Sequence, residues 1–255
     1  MRNNSEFYVR YRGFRSFLAK RGGRVALPDD LDRLKRDRLP PWIDEVEKDA
    51  RILDAGCAEG YLLEALARVD YENLTGIDLS ADILTQARHR LPSTVRLLEA
   101  NVLEWIAQCP ESSFDVIFFN QVLEHLHKDD VVRLLKEFHR VLSPGGRLSI
   151  SVPNMASLVG SFTMAIDFTH VTHFTECSLV QVLELSGFSL DKINFVSQAP
   201  RLFWSWRAPH LAFFRLLNRG RWRLNYMLHW FLYYVLLDFP YATVFDPSLV
   251  VVARK

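Results

Sequence analysis

From Arg51 onward the chain alternates short apolar runs with stretches in which apolar residues recur every three to four positions. Short runs between turn residues read as strands, and the 3.6-residue period reads as helices laid over them. Strands are expected over 51–55, 74–78, 94–98, 114–120 and 146–152, with helices over 60–69, 81–90 and 129–141. Nearly continuous apolar strands joined through amphipathic helices point to a parallel sheet covered on both faces. Pro144-Gly145-Gly146 turns the chain into the fifth strand. A helix over 176–186 stops at Gly187, a sixth strand follows near 191–197, and Leu249–Ala253 forms the last.

Two segments do not fit that alternation. Before it, Phe7, Tyr11, Phe14 and Leu18 lie at helical spacing, so a basic amphipathic helix is expected to end near Gly22-Gly23. A second helical stretch runs from Pro28 through Leu31 and Leu34 to Lys48. Between the sixth and last strands, Ala199 to Pro247 is far longer than an ordinary strand connection and must carry structure of its own. The organisation expected is therefore a helical cap over 1–48, an α/β core over 49–198, a helical insertion over 199–247 and a returning strand over 248–255.

A chain of 255 residues, about half of them apolar, suits one large core with an elaboration. Its net charge of +1 conceals a basic start, in which seven Arg or Lys of residues 1–28 face only Glu6. No apolar signal core follows the N-terminus, although an Arg-rich, acid-poor start is also the composition of an organellar transit peptide. Cys57, Cys109 and Cys177 are odd in number and widely spaced, which gives neither a disulfide framework nor a zinc pattern and fits a reducing cytoplasm.

The chemistry begins at Asp54-Ala55-Gly56-Cys57-Ala58-Glu59-Gly60, an acid at a strand end followed by a glycine-bearing turn that opens a helix. Glycine lets backbone approach a ligand where a side chain would collide. Asp78 ends the second strand and is suited to a ribose diol. A dinucleotide site would want G-x-G-x-x-G, yet Ala58 takes the middle position and Tyr61 the last. Glu59 at the helix start repels phosphate and tolerates a cationic sulfonium.

With Asn101-Val102, Phe114-Asp115-Val116-Ile117, Leu123-Glu124-His125-Leu126 and Leu142-Ser143-Pro144-Gly145-Gly146, these residues resemble the class I methyltransferase family. Asp54 to Gly60 matches its D-x-G-x-G-x-G motif except at Ala58. The resemblance covers 51–198 and the final strand. It implies a Rossmann-like methyltransferase fold, a seven-stranded, mostly parallel sheet with helices on both faces, and S-adenosylmethionine as cofactor. It also implies that Asp54, Gly56, Ala58 and Gly60 underlie the methionine part of the cofactor, and that Asp78 and Leu79 meet the ribose. Asn101 and Val102 would meet the adenine, Asn101 standing where the family usually has Asp. Asn120 and Gln121 lie where methyl and acceptor meet, although they also read as turn residues satisfying local backbone.

Methyl transfer demands alignment and exclusion of water, and an alcohol acceptor must also lose a proton. His125 stands where this branch of the family often has Glu-His and is one candidate base, or else a loop-fixing residue. Asp167 to Thr175 looks like the D-x-T-H-x-x-x-F-T segment of methyltransferases in bacterial polysaccharide and lipid-linked glycan assembly. By that likeness His170 is a second candidate base, oriented by Asp167, or the pair pins an acceptor lid while Thr175 caps the next helix. Asp167, His170 and His173 are chemically suitable metal ligands, but no fourth is identifiable, and no metal is expected.

Between Pro200 and Asp246 stand six arginines, no lysine and four of the six tryptophans. Such a composition suits an anionic membrane surface, because aromatics favour the boundary layer and arginines reach phosphates. The uncharged run Tyr226–Leu237 is too short to span a bilayer. Alternatively, the insertion folds as two helices that bury their aromatics against the core or a homodimer partner. No recognised module accompanies the basic residues, so nucleic acid is not an expected partner. The acceptor expected is a hydroxyl on a sugar, glycolipid or lipid-linked intermediate, with a phenolic quinone precursor as the nearest competitor. A non-catalytic binding protein retaining the fold is the other class.

Overall fold

A computed structural model describes residues 27–196, 209–236 and 243–255, giving backbone alone for 209–215 and 218. The helix expected over Phe7–Leu18 lies outside these residues.

Helix α1 spans Leu31–Arg38, its N-terminus capped by the Asp30 carboxylate, which accepts from the Arg33 amide at 2.7 Å. The helix expected to run on to Lys48 ends here instead, because Pro40 and Pro41 supply no amide donors and push Leu39 into extended backbone. A 3-10 turn over Pro41–Glu45 follows. The core then alternates as expected: β1 Ile52–Ala55, α2 Tyr61–Ala67, β2 Leu74–Asp78, α3 Ala81–Arg90, β3 Arg96–Glu99, α4 Val102–Ile106, β4 Phe114–Asn120 and α5 Lys128–Val141. The strand β5 covers Leu142–Pro153, then α6 Gly160–Ala165, α7 Glu176–Leu185, β6 Ile193–Phe195, α8 Pro209–Trp230 and β7 Ser248–Arg254.

The seven strands form one sheet in the order β3-β2-β1-β4-β5-β7-β6. Pairing is parallel for β1 with β2 and β4 and for β2 with β3, while β6 runs antiparallel to β7. Strand β5 begins four residues before the expected start, since the Pro144-Gly145-Gly146 turn lies within it. The Gly145 amide donates to the Lys255 carbonyl and the Lys255 amide to the Gly146 carbonyl, so pairing persists through the turn.

Two compact units divide the chain: residues up to Asn120 with Arg133–Ser149 and Arg254–Lys255, and Gln121–Val132 with Ile150–Ala253. In the first, all of β1 is buried, and Ile52, Leu63, Leu66, Leu74, Leu84 and Phe118 are among the residues of its core. Arg51 binds Asp115 at both carboxylate oxygens and also reaches Ser143, fixing the edge of β1 against β4. In the second unit, Asn154 donates to the carbonyls of Val244 and Asp246, fastening the segment that leads into β7.

Candidate active site

Between β1 and α2 the backbone takes positive φ three times, at Gly56 (78°), Ala58 (48°) and Gly60 (75°). The Gly56 and Cys57 amides donate to the Ile77 carbonyl at 2.7 and 2.9 Å, folding this loop onto the end of β2. There Asp78 accepts from the Ala58 amide and from the Ser80 amide, both at 3.0 Å. Asp78 thus faces the loop. A Cβ on Gly60 would lie 2.7 Å from Leu91 Cδ1, so glycine is favoured there by φ, and a larger residue would also displace the Leu91 side chain. Ala58 tolerates the left-handed conformation at a cost of about 1 kcal/mol, which is how it can replace the family's glycine.

Asp54, at the end of β1, is buried. Loss of hydration, and secondarily the charge of Asp78, push its carboxyl up to about 7. Leu79 is 47% exposed, an apolar surface beside Asp78. Asn101 caps α4, its amide oxygen accepting from the Leu103 amide at 2.9 Å, and Val102 begins that helix. An amide oxygen has two lone pairs, so the cap still permits a second donor. Asn120 ends β4. Gln121, at φ 54°, donates from its backbone to the Ser151 carbonyl at 2.7 Å and from its side chain to Ser151 Oγ at 2.9 Å.

Gly76 was not singled out by sequence, yet a Cβ there would come within 2.6 Å of Leu63 Cδ1 and 2.9 Å of Cys57 Sγ. A glycine inside a strand is itself the signal of a close approach.

The second unit gathers the histidines. The amides of Val171 and Thr172 donate to the Glu124 backbone carbonyl at 2.9 and 3.0 Å, and the Thr172 hydroxyl donates to the Leu126 carbonyl. These bonds fasten two stretches far apart in sequence and bring the His125 and His170 rings edge to face at 4.7 Å. His170 Nε2 lies 3.8 Å from Glu124 Oε1. Thr169 Oγ1 donates to Asp167 at 2.7 Å and stands 2.8 Å from His125 Nδ1. Since the hydroxyl proton goes to the carboxylate, which can only accept, Nδ1 is the donor to Thr169. The His170 Nδ1 likewise donates to the Met164 carbonyl at 3.2 Å.

Burial, then the neighbouring His170, push His125 down to about 4, while Asp167 and the carbonyls of Thr169 and Gln121 oppose the shift. His170 is lowered by burial, with Asp167 opposing. Glu124 is raised to about 8, mainly by burial. Asp167 acts on both rings through its charge and also accepts from the amide and hydroxyl of Thr169, whose hydroxyl oxygen meets His125. Among the described residues, the potential ligand groups brought together are Glu124, His125 and His170. Thr175 caps α7 in a reciprocal box with Ser178.

Helix α8 continues as a π-helical segment over Phe231–Leu236, so among the described residues the insertion is one continuous helical rod where two helices were expected. Trp222, Tyr226, His229 and Tyr233 form its inner stripe. Trp222 donates to Asp246 at 2.7 Å, and the rings of Tyr226, His229 and Tyr233 pack on the buried Phe245. Leu217, Leu224, Leu228, Phe231 and Val235 are exposed.

Residues 52–146 match the methyltransferase domain family. A probable S-adenosylmethionine-dependent methyltransferase of Mycolicibacterium smegmatis is 31% identical over 140 residues, 55% of this chain and 52% of that protein. A ubiquinone biosynthesis O-methyltransferase of Xanthomonas oryzae is 34% identical over 119 residues, 46% of this chain and 48% of its own length. The chain thus spans about half the length of the curated relatives it matches. A solved S-adenosylmethionine-dependent methyltransferase from Archaeoglobus fulgidus superposes with a TM-score of 0.63 at 22% identity, over 95% of this chain and 99% of that one. The fold is that of the solved methyltransferase, and the match to the methyltransferase domain family falls on the stretch that holds the glycine loop and Asp78.

Proposed function

We propose that the chain transfers a methyl group from S-adenosylmethionine to a hydroxyl on a sugar, glycolipid or related lipid-linked intermediate. The observation that carries the donor half is the clasp of Asp78 on the Ala58 and Ser80 amides. It fixes a carboxylate in place before any ligand arrives, so little ordering remains when a ribose diol binds. The three positive-φ residues keep the adjoining backbone clear of side chains, which suits the methionine moiety. The Asp78 carboxylate gives this loop a negative potential that favours a sulfonium and disfavours a pyrophosphate.

Support for a lipid-linked acceptor comes from the outward face of α8. Exposed Leu217, Leu224, Leu228, Phe231 and Val235 share that helix and its π-helical extension with Arg219, Arg221 and Arg223, and the segment contains no acid. No helix among the described residues is long and apolar enough to cross a membrane, so the contact proposed is with an anionic surface. The family likeness gives proton removal from the acceptor to His125 or His170, supported by Asp167. A phenolic quinone precursor is the second reading, favoured by the likeness to a ubiquinone biosynthesis O-methyltransferase.

Calorimetry with S-adenosylmethionine tests the donor half, and absence of binding at millimolar donor would leave only a binding protein that retains the fold. Labelled donor incubated with lipid and aqueous cell extracts, followed by mass analysis of the product, tests the acceptor. Label on a phenol would replace the sugar reading. Pelleting with anionic vesicles at low salt, lost at high salt, is expected of the α8 face; indifference to vesicles removes the membrane contact.

A further inference from the structure

The Glu124 side chain stands out in the second unit. It is fully buried, and apart from its own backbone amide neither carboxylate oxygen meets a hydrogen-bond donor among the described residues. An isolated buried carboxylate is costly, and proteins meet that cost with a proton, a cationic side chain or a metal ion. Among the described residues no Lys or Arg is hydrogen-bonded to it, and His170 Nε2 lies 3.8 Å from Oε1. We propose that Glu124, His125 and His170 form a binding site for one divalent transition-metal ion, held by the Glu124 carboxylate and one nitrogen of each imidazole.

The geometry and the surrounding hydrogen bonds support this. One ligand atom from each of the three residues lies within 4.8 Å of the others. Bonds of about 2.1 Å to a common ion require donors roughly 3 to 4 Å apart, so rotation of the Glu124 side chain and slight closure of the rings complete the site. The Nδ1 atom of each imidazole is engaged by a group other than Glu124. His125 Nδ1 donates to Thr169, which donates in turn to Asp167, and His170 Nδ1 donates to the Met164 carbonyl. In a neutral ring this tautomer places the lone pair on Nε2, the atom His170 turns toward Glu124. Hydrogen bonds at the second ring nitrogen, here to a hydroxyl and a backbone carbonyl, orient metal-bound histidines.

Two imidazoles and one carboxylate suit Mn²⁺, Fe²⁺, Co²⁺ or Zn²⁺ better than Mg²⁺ or Ca²⁺, which prefer all-oxygen shells. Three protein ligands leave coordination positions for oxygen donors. A hydroxyl bound there would lose its proton more readily, as metal-bound water does. That last consequence rests on the hydroxyl-acceptor reading, whereas binding of the ion does not.

Metal-free protein prepared with a chelator and titrated with Co²⁺ as a spectroscopic probe, then with Mn²⁺ and Zn²⁺, should bind one ion per chain and gain thermal stability as it does. Glu124→Gln and His170→Ala should each weaken binding at least about tenfold, and His89→Ala on α3 should leave it unchanged. Far-UV circular dichroism establishes that the variants fold. If they do not, the metal-dependent rise in Tm of the unaltered chain decides alone. No saturable binding and no rise in Tm at about 1 mM of any of the three ions, or equal binding by both folded cluster variants, overturns the site. Binding of S-adenosylmethionine, measured separately on the metal-free protein, reports on the donor reading without touching this one.

Discussion

The donor loop and the histidine cluster are built by opposite means. Around Gly56–Gly60 the work is done by backbone amides and by φ angles, with Asp78 as the main side-chain anchor. Around Glu124 it is done by side chains brought from residues 124–125 and 167–170, held by threonine hydroxyls and carbonyls. A site made of local backbone geometry tolerates few substitutions and announces itself in a short motif. A site made of distant side chains leaves only scattered polar residues in the sequence.

Removing the anchor of the first site gives the largest effect. Asp78→Ala leaves two amides without their charged acceptor and deprives a ribose of its partner, so affinity for S-adenosylmethionine should fall about 100-fold, near 3 kcal/mol. Calorimetry showing less than a fivefold loss would break the assignment of the loop.

Asp54 sharpens the comparison through pH. Its carboxyl, raised to about 7 by burial and then by Asp78, keeps a proton in the folded chain that the unfolded chain releases near pH 4. Between those values the folded state binds more protons, so Asp54 costs nothing below about pH 4 and its contribution to stability falls as pH rises through 7. Asp54→Asn should flatten that decline in denaturant titrations. A decline of unchanged slope would show that other groups set it.

Gly60→Ala should cost about 1 to 2 kcal/mol, from the strained φ and from the approach to Leu91. A melting temperature within a degree of the parent would mean that the loop relaxes. The smallest effect belongs to the second site. Thr169→Val cuts the link between Asp167 and His125 and should cost about 1 kcal/mol of stability while leaving donor affinity within twofold. A marked loss of donor binding there would show that the two sites are not separable.

Much of the core was readable along the chain. Strands β1, β2 and β4 fall within a residue of the apolar runs that announced them, because buried parallel strands need uninterrupted apolar sequence. The short helix α4 was missed, since its five residues are too few to show a period. Sequence pointed to His125, His170 and Asp167 individually, but the link from Asp167 through Thr169 to His125 could not be read, because side chains cannot be matched before the backbone bonds of Val171 and Thr172 to Glu124 are known. Glu124 was read as part of the family motif but given no role of its own, since an acid beside a histidine looks like any solvated pair until its burial is seen.

Local pattern by itself determined the order of strands and helices, the place of the glycine loop and the acid that closes it. Each depends on residues within a few positions of one another or on a period repeated along the chain. Tertiary structure decided which distant polar side chains share a dry environment, and with it the raised Glu124, the neutral imidazoles and the inner and outer faces of α8. Burial and partnership are properties of the folded neighbourhood, and no short stretch of sequence contains them.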